Sequence, residues 1–356
     1  MPQAAKGPET TGNAGARLAS APSLSDVAHV AGVSAATVSR IVNGDLGRAS
    51  ADTVLRVQEA VARLGYRPNH AGRSLRRRES QVVAMLSPNL DNPAMAAIAA
   101  STEHALRAAG YVMVLCDTHD RPELQDEYLE AMRAQLARGY VLVSAVPSPG
   151  LGAAMARGEA IVCVNRRNPL GPSPFVGIDN RQAGADVAAE FARLGIDDLA
   201  VIHPAVMSSS IAERVQGFLA ECAARGIDVS RLPQAGGAGP DHIAMGYAAI
   251  QALVARHGWP RGLLCPSDLM AYAAYRHALE TGRAVPAETR IIGIDNNAFN
   301  QWIAPWLSSI EIPYRDFGAV VVEQLLACWR GEPVADRTLP HRFVRRGEPN
   351  HALAVP

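Results

Sequence analysis

The stretch GVSAATVSRIVNG, residues 32–44, decides how the N-terminal part of this chain is interpreted. It has small side chains, a single arginine (Arg40), no catalytic pair and no metal ligands. Ser34 is a typical helix N-cap, and the apolar residues after it recur at helical spacing. The pattern predicts a short helix over residues 35–42 with one buried face, formed by Val38, Ile41 and Val42.

Two further helices are predicted on either side of this one. Upstream, Ser25 can cap a helix from Asp26 to Ala31, which Gly32 ends. Downstream, a helix that starts at Ser50 and ends before Gly65 has the spacing of a third amphipathic helix. Two short helices around a glycine turn, completed by a third helix, are typical of the helix-turn-helix module.

The second helix of such a module lies in the DNA major groove. Ala35 and Ala36 can contact thymine methyl groups, and Arg40 can form a bidentate contact with guanine. Short polar side chains nearby suit phosphate contacts: Ser34, Thr37, Ser39 and Asn43. The alternative is a plain helical hairpin that has no role in nucleic-acid binding.

The distribution of charge favours DNA binding. The whole chain has 34 Lys+Arg and 34 Asp+Glu and no formal net charge. Residues 24–80 nevertheless contain nine arginines and five acidic residues. A basic first segment on a neutral body indicates a head that binds a polyanion.

The segment YRPNHAGRSLRRRES, residues 66–80, places one aliphatic residue, Leu75, among arginines. This arrangement suits a short hinge helix that inserts Leu75 into the minor groove. Asn69 and Arg73 are then further DNA contacts. A flexible basic linker is the alternative, which Gly72 supports because glycine destabilises a helix interior.

The two motifs LSDVAHVAGVSAATVSRIVNG (24–44) and RASADTVLRVQEAVARLGYRPN (48–69), with the leucine-bearing hinge, resemble the lac repressor (LacI/GalR) family. The resemblance extends over nearly the whole chain after residue 23. It implies a helix-turn-helix head, with Ala35, Ala36 and Arg40 reading bases and Leu75 as the wedge. It also implies a body with the two-lobed fold of periplasmic sugar-binding proteins.

From residue 81 onward, apolar strand-like runs alternate with amphipathic helices such as 122–138, 181–194 and 212–225. This alternation predicts an α/β body with two parallel sheets covered on both faces. The predicted strands are 81–86, 111–117, 139–144, 160–165, 175–179, 199–204, 262–267 and 290–295. GGAG (236–239) lacks a clear preceding strand and is predicted to be a loop.

Polar residues follow these strands, where open α/β sheets bind ligands. They are Asn89, Asn92, Asp117, Asn165, Arg166, Asp179, Ser267 and Asp295. Arg214 opens a helix on the same side. Each can be an ordinary turn residue, but together they predict a polar cleft between two lobes, suited to hydroxyl or carboxylate groups.

By the family resemblance, effector-contacting positions fall on Asn165, Arg166, Asp179, Arg214, Ser267 and Asp295, with Tyr314 as a further pocket position. Ala94 and Met95 replace two aromatic residues common in the family, and Met95 is kept as a candidate contact. Asp241 and His242 stand where an aromatic ring commonly stacks on a sugar. The effector is expected to be a sugar, a sugar acid or a related metabolite. Because few aromatic rings are left to stack on a sugar, we expect it either to be acyclic, such as a sugar acid, or to stack on other residues.

The resemblance divides the chain into a disordered tail (1–23), a DNA-binding head (24–68), a hinge helix (69–79) and an effector-binding and dimerisation domain (80–350). Lobe one is predicted to contain about 80–194 and 314–340. Lobe two is predicted to contain about 195–313 and 341–350. The expected partners are a palindromic operator in double-stranded DNA, a small effector and a second copy of the chain in a homodimer.

Other classes of protein fit less well. A periplasmic solute-binding protein would share the body fold but not the basic head. A metabolite-binding enzyme is the other alternative, yet the histidines and the serine run 208–210 form no recognisable catalytic motif. No cofactor, metal site or membrane segment is expected. The five scattered cysteines indicate buried thiols in a cytoplasmic protein.

Overall fold

The structure, a computed structural model, describes residues 22–47, 49–66 and 80–347. The chain divides into two compact units, Met1–Arg78 and Glu79–Pro356. Each unit is described by itself. The predicted tail up to residue 21, and the predicted hinge helix with Asn69, Arg73 and Leu75, lie outside the described residues.

The described residues of the first unit form three helices: α1 (Leu24–Ala31), α2 (Ala35–Val42) and α3 (Ala51–Leu64). They pack around one small core, whose buried members are Val27, Ala28, Ala31, Val38, Ile41, Val57, Ala60 and Tyr66. Ser34 caps α2, as predicted, and Ser50, the predicted first residue of the third helix, is the N-cap of α3. The predicted helix-turn-helix is therefore present.

The start of α1 differs from the prediction, because Ser23 and not Ser25 is its N-cap. The Ser23 Oγ accepts the Asp26 N–H at 3.3 Å, and an Asp26 carboxylate oxygen accepts the Ser23 N–H at 2.7 Å. This reciprocal capping box needs an acidic residue three positions after the cap, which Ser23 has. Gly32 ends α1 in the left-handed conformation, with φ 64°.

The second unit contains two six-stranded sheets, and each sheet forms one lobe. The first sheet has the order β11-β5-β4-β3-β1-β2, with all pairings parallel. Its strands are β1 (Val82–Ser87), β2 (Val112–Asp117), β3 (Gly139–Val143), β4 (Ile161–Val164), β5 (Phe175–Gly177) and β11 (Arg337–Thr338). Its helices are α4 (Pro93–Ala108), α5 (Pro122–Ala134), α6 (Pro149–Ala156) and α12 (Tyr314–Arg330).

The second sheet has the order β12-β10-β9-β8-β6-β7 and is parallel except for β12, which runs antiparallel to β10. Its strands are β6 (Leu199–Pro204), β7 (Gln234–Gly237), β8 (Gly262–Leu264), β9 (Arg290–Asp295), β10 (Ser308–Glu311) and β12 (Arg342–Val344). Its helices are α7 (Asn180–Arg193), α8 (Ser209–Ala224), α9 (His242–His257), α10 (Asp268–Glu280) and the short α11 (Asn300–Ile303).

Two predictions for the body need correction. Residues 236 and 237 of the GGAG stretch belong to the edge strand β7, because Gly237 lets this strand pack against the α9 backbone at Met245. The lobe boundary was predicted at residue 194, which would place α7 in lobe one. In the structure, Phe191 of α7 packs against Leu199 and Gly262 of the second sheet, so α7 belongs to lobe two. In the structure, the chain crosses into lobe two at the end of β5.

Two further observations concern the described residues of the whole chain. No helix among them combines the length and apolarity that a bilayer crossing requires. The cysteines are free thiols, of which Cys328 is half-buried and the others are buried: Cys116, Cys163, Cys222 and Cys265.

Two glycines allow α7 and α8 to touch along their backbones. A Cβ on Gly184 would collide with the Arg214 carbonyl oxygen, and a Cβ on Gly217 would collide with the Arg181 carbonyl oxygen. This close approach fixes the position of α8, which carries Arg214, against α7.

We expect Gly217→Ala to destabilise the protein by about 1–3 kcal/mol, because the added methyl group must push the two helix backbones apart. Urea unfolding monitored by circular dichroism measures the change. Gly152→Ala in α6 is the matched control, since a Cβ there meets only Leu170 Cδ1 at 3.6 Å. Equal effects of the two substitutions would contradict the close-packing explanation.

Candidate ligand-binding cleft and DNA interface

A cavity of about 610 Å³ lies at the carboxyl ends of the strands, between the two lobes. Its lining brings together eight of the ten predicted effector residues, which are Asn92, Met95, Asn165, Arg166, Arg214, Ser267, Asp295 and Tyr314. Asn89, the other polar residue predicted beyond a strand, also lines it. Contact of these residues with an effector stays a prediction.

Asp117 and Asp179 do not line this cavity. The Asp117 carboxylate accepts the backbone N–H groups of Leu90 and His119, each at 3.2 Å, and so holds the loops after β1 and β2. Asp179 is exposed and caps α7, where its carboxylate accepts the Gln182 N–H at 2.9 Å. Both side chains serve the backbone near the cleft, an ordinary role for aspartate beyond a strand.

Arg214 lies on the first turns of α8 and lines the cavity. It is a buried cation, with 4% of its surface exposed. Its Nε donates to the Asn180 side-chain oxygen at 2.9 Å, and one terminal nitrogen donates to the Pro266 carbonyl at 2.7 Å. The nearest carboxylate oxygen, on Asp295, is 3.8 Å away. The guanidinium is therefore fixed in place chiefly by neutral acceptors.

Asp295 connects the two lobes through a hydrogen bond. It ends β9 of lobe two, and its carboxylate accepts the hydroxyl of Tyr314, the first residue of α12 in lobe one, at 2.7 Å. Burial raises the pKa of Asp295 to about 7, while Arg214 and the Tyr314 hydrogen bond favour its charged form and Asp268 opposes it. This carboxyl group thus exchanges a proton near neutral pH.

Asp268 holds the loop that follows Asp295. Its carboxylate accepts the Ser309 hydroxyl, the Asn297 backbone N–H and the Asn300 side-chain amide, each at 2.7 Å. Burial raises the pKa of this carboxyl above its usual value. Sequence reasoning missed Asp268, although it directly follows the predicted contact Ser267.

Arg166 and Asn165 form the lobe-one side of the cavity. Arg166 donates to the Asp120 carboxylate at 3.0 Å, and Asn165 donates to the Ser144 hydroxyl at 3.1 Å. Asn165 adopts a left-handed conformation with φ 66°, which asparagine tolerates better than most residues. Sequence reasoning missed Asp120 because it lies in a turn, where no hydrophobic periodicity marks its position.

His242 is a further cavity residue that sequence reasoning considered only as a replaced aromatic. Its Nδ1 lies 3.1 Å from the Ser267 hydroxyl oxygen. Burial, together with the nearby Arg166 and Arg214, holds the pKa of His242 below its usual range. The imidazole is therefore neutral at physiological pH and serves as a hydrogen-bonding group.

A second space of about 820 Å³ adjoins the cavity on the other side of the Asp295–Tyr314 hydrogen bond. It opens beside Phe299, in the segment FNQWIAPW that also contains two tryptophans. Trp306 is buried and stacks on Tyr275 at a ring distance of 4.1 Å. Trp302 is 69% exposed and so does not share this packing.

The predicted DNA-reading face of α2 lies on the surface of the first unit. Ser34, Ala35, Ala36, Arg40 and Asn43 are exposed, while Thr37 and Ser39 are half-buried. Their small side chains leave the start of α2 accessible. The Ser34 hydroxyl already bonds the backbone N–H of Thr37 at 3.2 Å, so its structural role is to cap the helix.

Comparison with known proteins gives consistent results for both units. A family model described as bacterial regulatory proteins, lacI family, matches residues 23–69. A model described as a periplasmic binding protein-like domain matches residues 188–347. The HTH-type transcriptional regulator PtxS of Pseudomonas putida is 31% identical, over 89% of this chain and 92% of that protein.

A curated relative and a solved structure extend this result. The ribose operon repressor of Bacillus subtilis is 28% identical over 89% of this chain and 94% of its own length. The lac repressor dimer bound to operator and the anti-inducer ONPF shares the fold. Its TM-score is 0.82 at 23% identity, covering 91% of this chain and 98% of that one.

The raised pKa of Asp295 predicts how the free energy of unfolding depends on pH. The unfolded state loses this proton near pH 4 and the folded state near pH 7, so the Asp295 contribution to stability falls as pH rises between those values. The slope is at most about 1.4 kcal/mol per pH unit. Asp295→Asn should remove this slope. Urea unfolding at pH 5, 6 and 7 checks it, and equal slopes for both proteins would contradict the assignment.

Proposed function

This chain belongs to the LacI family of bacterial regulatory proteins and is a DNA-binding transcriptional regulator; we propose that it is a repressor controlled by a small polar metabolite. The observation that carries this proposal is the pairing of a helix-turn-helix head with a polar, two-lobed cleft in one chain. The metabolite is a sugar, a sugar acid or a related compound.

The proposed contacts of the head follow from the exposed face of α2. Ala35 and Ala36 approach thymine methyl groups, and Arg40 reads guanine. Further contacts go to phosphates, from Ser34, Thr37, Ser39 and Asn43. In the hinge, which is outside the described residues, Leu75 enters the minor groove and Asn69 and Arg73 contact the backbone.

The proposed assembly is a homodimer, because two heads related by a two-fold axis read a palindromic operator. We place the dimer contact near residues 80–110 and on the neighbouring edge strand β2. Val112 and Leu115 of β2 are exposed apolar residues, at 60% and 38%. A second copy would remove this apolar edge from water.

The proposed control links the cleft to operator affinity. An effector that touches both lobes changes their relative position, and through the dimer contact it changes the spacing of the two hinges. Coupling between two such sites typically amounts to about 1–3 kcal/mol. An effector that disfavours the DNA-competent state is an inducer, and one that favours it is a corepressor.

We also propose that the protein has no enzymatic activity and works in the cytoplasm, where it meets its operator. The relatives named above are transcriptional regulators. Two polar side chains of the cavity cap helix ends, those of Asp241 and Ser267. A solute-binding protein would not need the exposed basic head.

Selection of bound fragments from genomic DNA tests the proposed function. The purified full-length protein should retain a small number of fragments that share a two-fold symmetric site. Addition of the small-molecule fraction of a cell extract should change this retention. Absence of enrichment both with and without the extract would contradict the proposal.

Arg40→Ala should cost about 1–3 kcal/mol of binding free energy on the selected site and should relax specificity at one base step. The reason is loss of a bidentate contact that only guanine offers. Fluorescence anisotropy with the selected site and its single-base variants measures the change. Arg63→Ala, an exposed arginine on α3, is the control; equal loss on every sequence with Arg40→Ala would contradict base reading.

A further inference from the structure

The charge of Arg214 is poorly compensated within the protein. Its two closest acceptors, Asn180 and Pro266, are neutral, and it also interacts with the Tyr314 hydroxyl. The Asp295 carboxylate forms an ion pair with it at 3.8 Å and is itself bonded by Tyr314. A buried cation whose anionic partner is this far away gains from a second, closer anion. The guanidinium has five N–H donors, and the two short hydrogen bonds use two of them.

The helix ends around the cavity add positive potential. The N-cap residues of four helices line it, which are Asn92 of α4, Ser208 of α8, Asp241 of α9 and Ser267 of α10. Each helix N-terminus carries about half a positive charge and unpaired backbone N–H groups. Four such ends directed at one space favour an anion.

Arg166 and His242 complete a donor-rich wall. Arg166 is held by Asp120, which is 49% exposed, and its Nε has no hydrogen-bond partner in the described part of the chain. The Ser267 hydroxyl oxygen accepts the Met270 N–H and lies 3.1 Å from the His242 Nδ1. In the tautomer in which Ser267 donates to Nδ1, the Nε2 atom carries the imidazole proton and donates to a ligand.

The acidic residues of the cavity are suited to binding hydroxyl groups and not to binding a cation. Asp120 is paired with Arg166, and Asp241 caps α9. Asp295 accepts from Tyr314, and Asp91 is exposed at the rim. Their remaining lone pairs can accept from hydroxyls. Tyr314 is the one phenylalanine, tyrosine or tryptophan in the described lining, so a platform for stacking a sugar ring is small.

We propose that the effector is a hydroxylated carboxylic acid whose carboxylate binds between Arg214, Arg166 and His242. This inference rests on the proposed effector site in the cleft and narrows it to one chemical class. The hydroxyl groups of the acid face Asp120, and its carboxylate faces the helix N-termini and the protonated Asp295. Neutral sugars with the same carbon skeleton lack the group that Arg214 requires.

An anion bound beside Asp295 also affects the proton on that carboxyl group. The charged and titratable groups that act on Asp295 are Arg214 of α8, Asp268 and Tyr272 of α10, and Tyr314 of α12. A ligand carboxylate adds repulsion, so binding takes up a proton and weakens as pH rises. For a pKa of about 7 and a further rise of about one unit on binding, affinity falls about fivefold between pH 6 and pH 8.

A neutral polyol predicts the opposite pH dependence. Its hydroxyl groups would donate to the ionised Asp295, and so its affinity would rise with pH. Protonation of His242 in acid strengthens binding of an anion in the same direction as Asp295. The groups around His242 are Arg166, Arg214, Asp120 and Asp241. Asp295→Asn separates the two effects, since it removes the pH dependence near neutrality and leaves that of His242.

The experiment uses the full-length protein and a matched panel of ligands. The acids are D-gluconate, D-galactonate, D-glucuronate and D-galacturonate, and the neutral counterparts are D-glucose and D-galactose. Thermal shift identifies ligands, and calorimetry in two buffers of different ionisation enthalpy counts the protons. The expected result is binding of at least one acid with proton uptake, at least tenfold tighter than its neutral counterpart.

Two arginine variants locate the carboxylate. Arg166→Gln, at a partly exposed position, should weaken binding of the acid at least tenfold. Arg225→Gln, on the outer end of α8 and paired with Glu221, is the control and should have no effect. Arg214→Gln should act like Arg166→Gln, with circular dichroism as a check on folding.

Three outcomes would overturn the inference: no thermal shift with any acid, neutral sugars that bind as tightly as the acids, or an affinity that rises with pH. Tight binding of a neutral sugar that Arg166→Gln disrupts would keep the cleft as the effector site and reject the acid. Binding that no cleft variant alters would instead reject the cleft as the effector site.

Discussion

The hydrogen bond between Tyr314 and Asp295 is the contact on which the rest of the ligand-binding unit depends. It joins the first residue of a lobe-one helix to the last residue of a lobe-two strand, directly beside the buried Arg214. A ligand that binds Arg214 must also adjust this hydrogen bond. Because the bond crosses between lobes, a local change in one carboxyl group becomes a change in the relation of two rigid sheets.

Rigidity around this contact comes from close packing and from buried polar groups. The glycine contacts between α7 and α8 fix Arg214 from one side. Asp268 fixes the loop after Asp295 from the other side, through three hydrogen bonds of 2.7 Å. Because the residues on both sides of this hydrogen bond are fixed, the protein cannot deform gradually around it. A ligand therefore selects between discrete arrangements of the two lobes.

The sequence predicts features that depend on local periodicity and misses those that depend on distant contacts. The three head helices, the glycine ends of α1 and α3, and the central parallel strands follow from spacing and caps alone. Local spacing favours Ser25 as the N-cap of α1. Ser23 caps the helix instead, because the Ser23 and Asp26 side chains each accept the other residue's backbone N–H. Sequence reasoning missed strand β7 because glycines are poor strand formers, and Gly237 fits there because the α9 backbone packs closely on it. Likewise, Asp179 and Arg214 carry similar signals in sequence, yet only the fold turns one toward helix α7 and the other into the cavity.

The central claim is that the cleft and the DNA-binding head are coupled, and it can be tested by a single titration. Anisotropy of a labelled genomic fragment that the protein retains gives its affinity, with and without a saturating amount of the small-molecule fraction that binds the cleft. The account predicts a change of about 5- to 150-fold, in either direction, that Asp295→Asn reduces. An affinity that stays the same while the cleft is demonstrably occupied would contradict it.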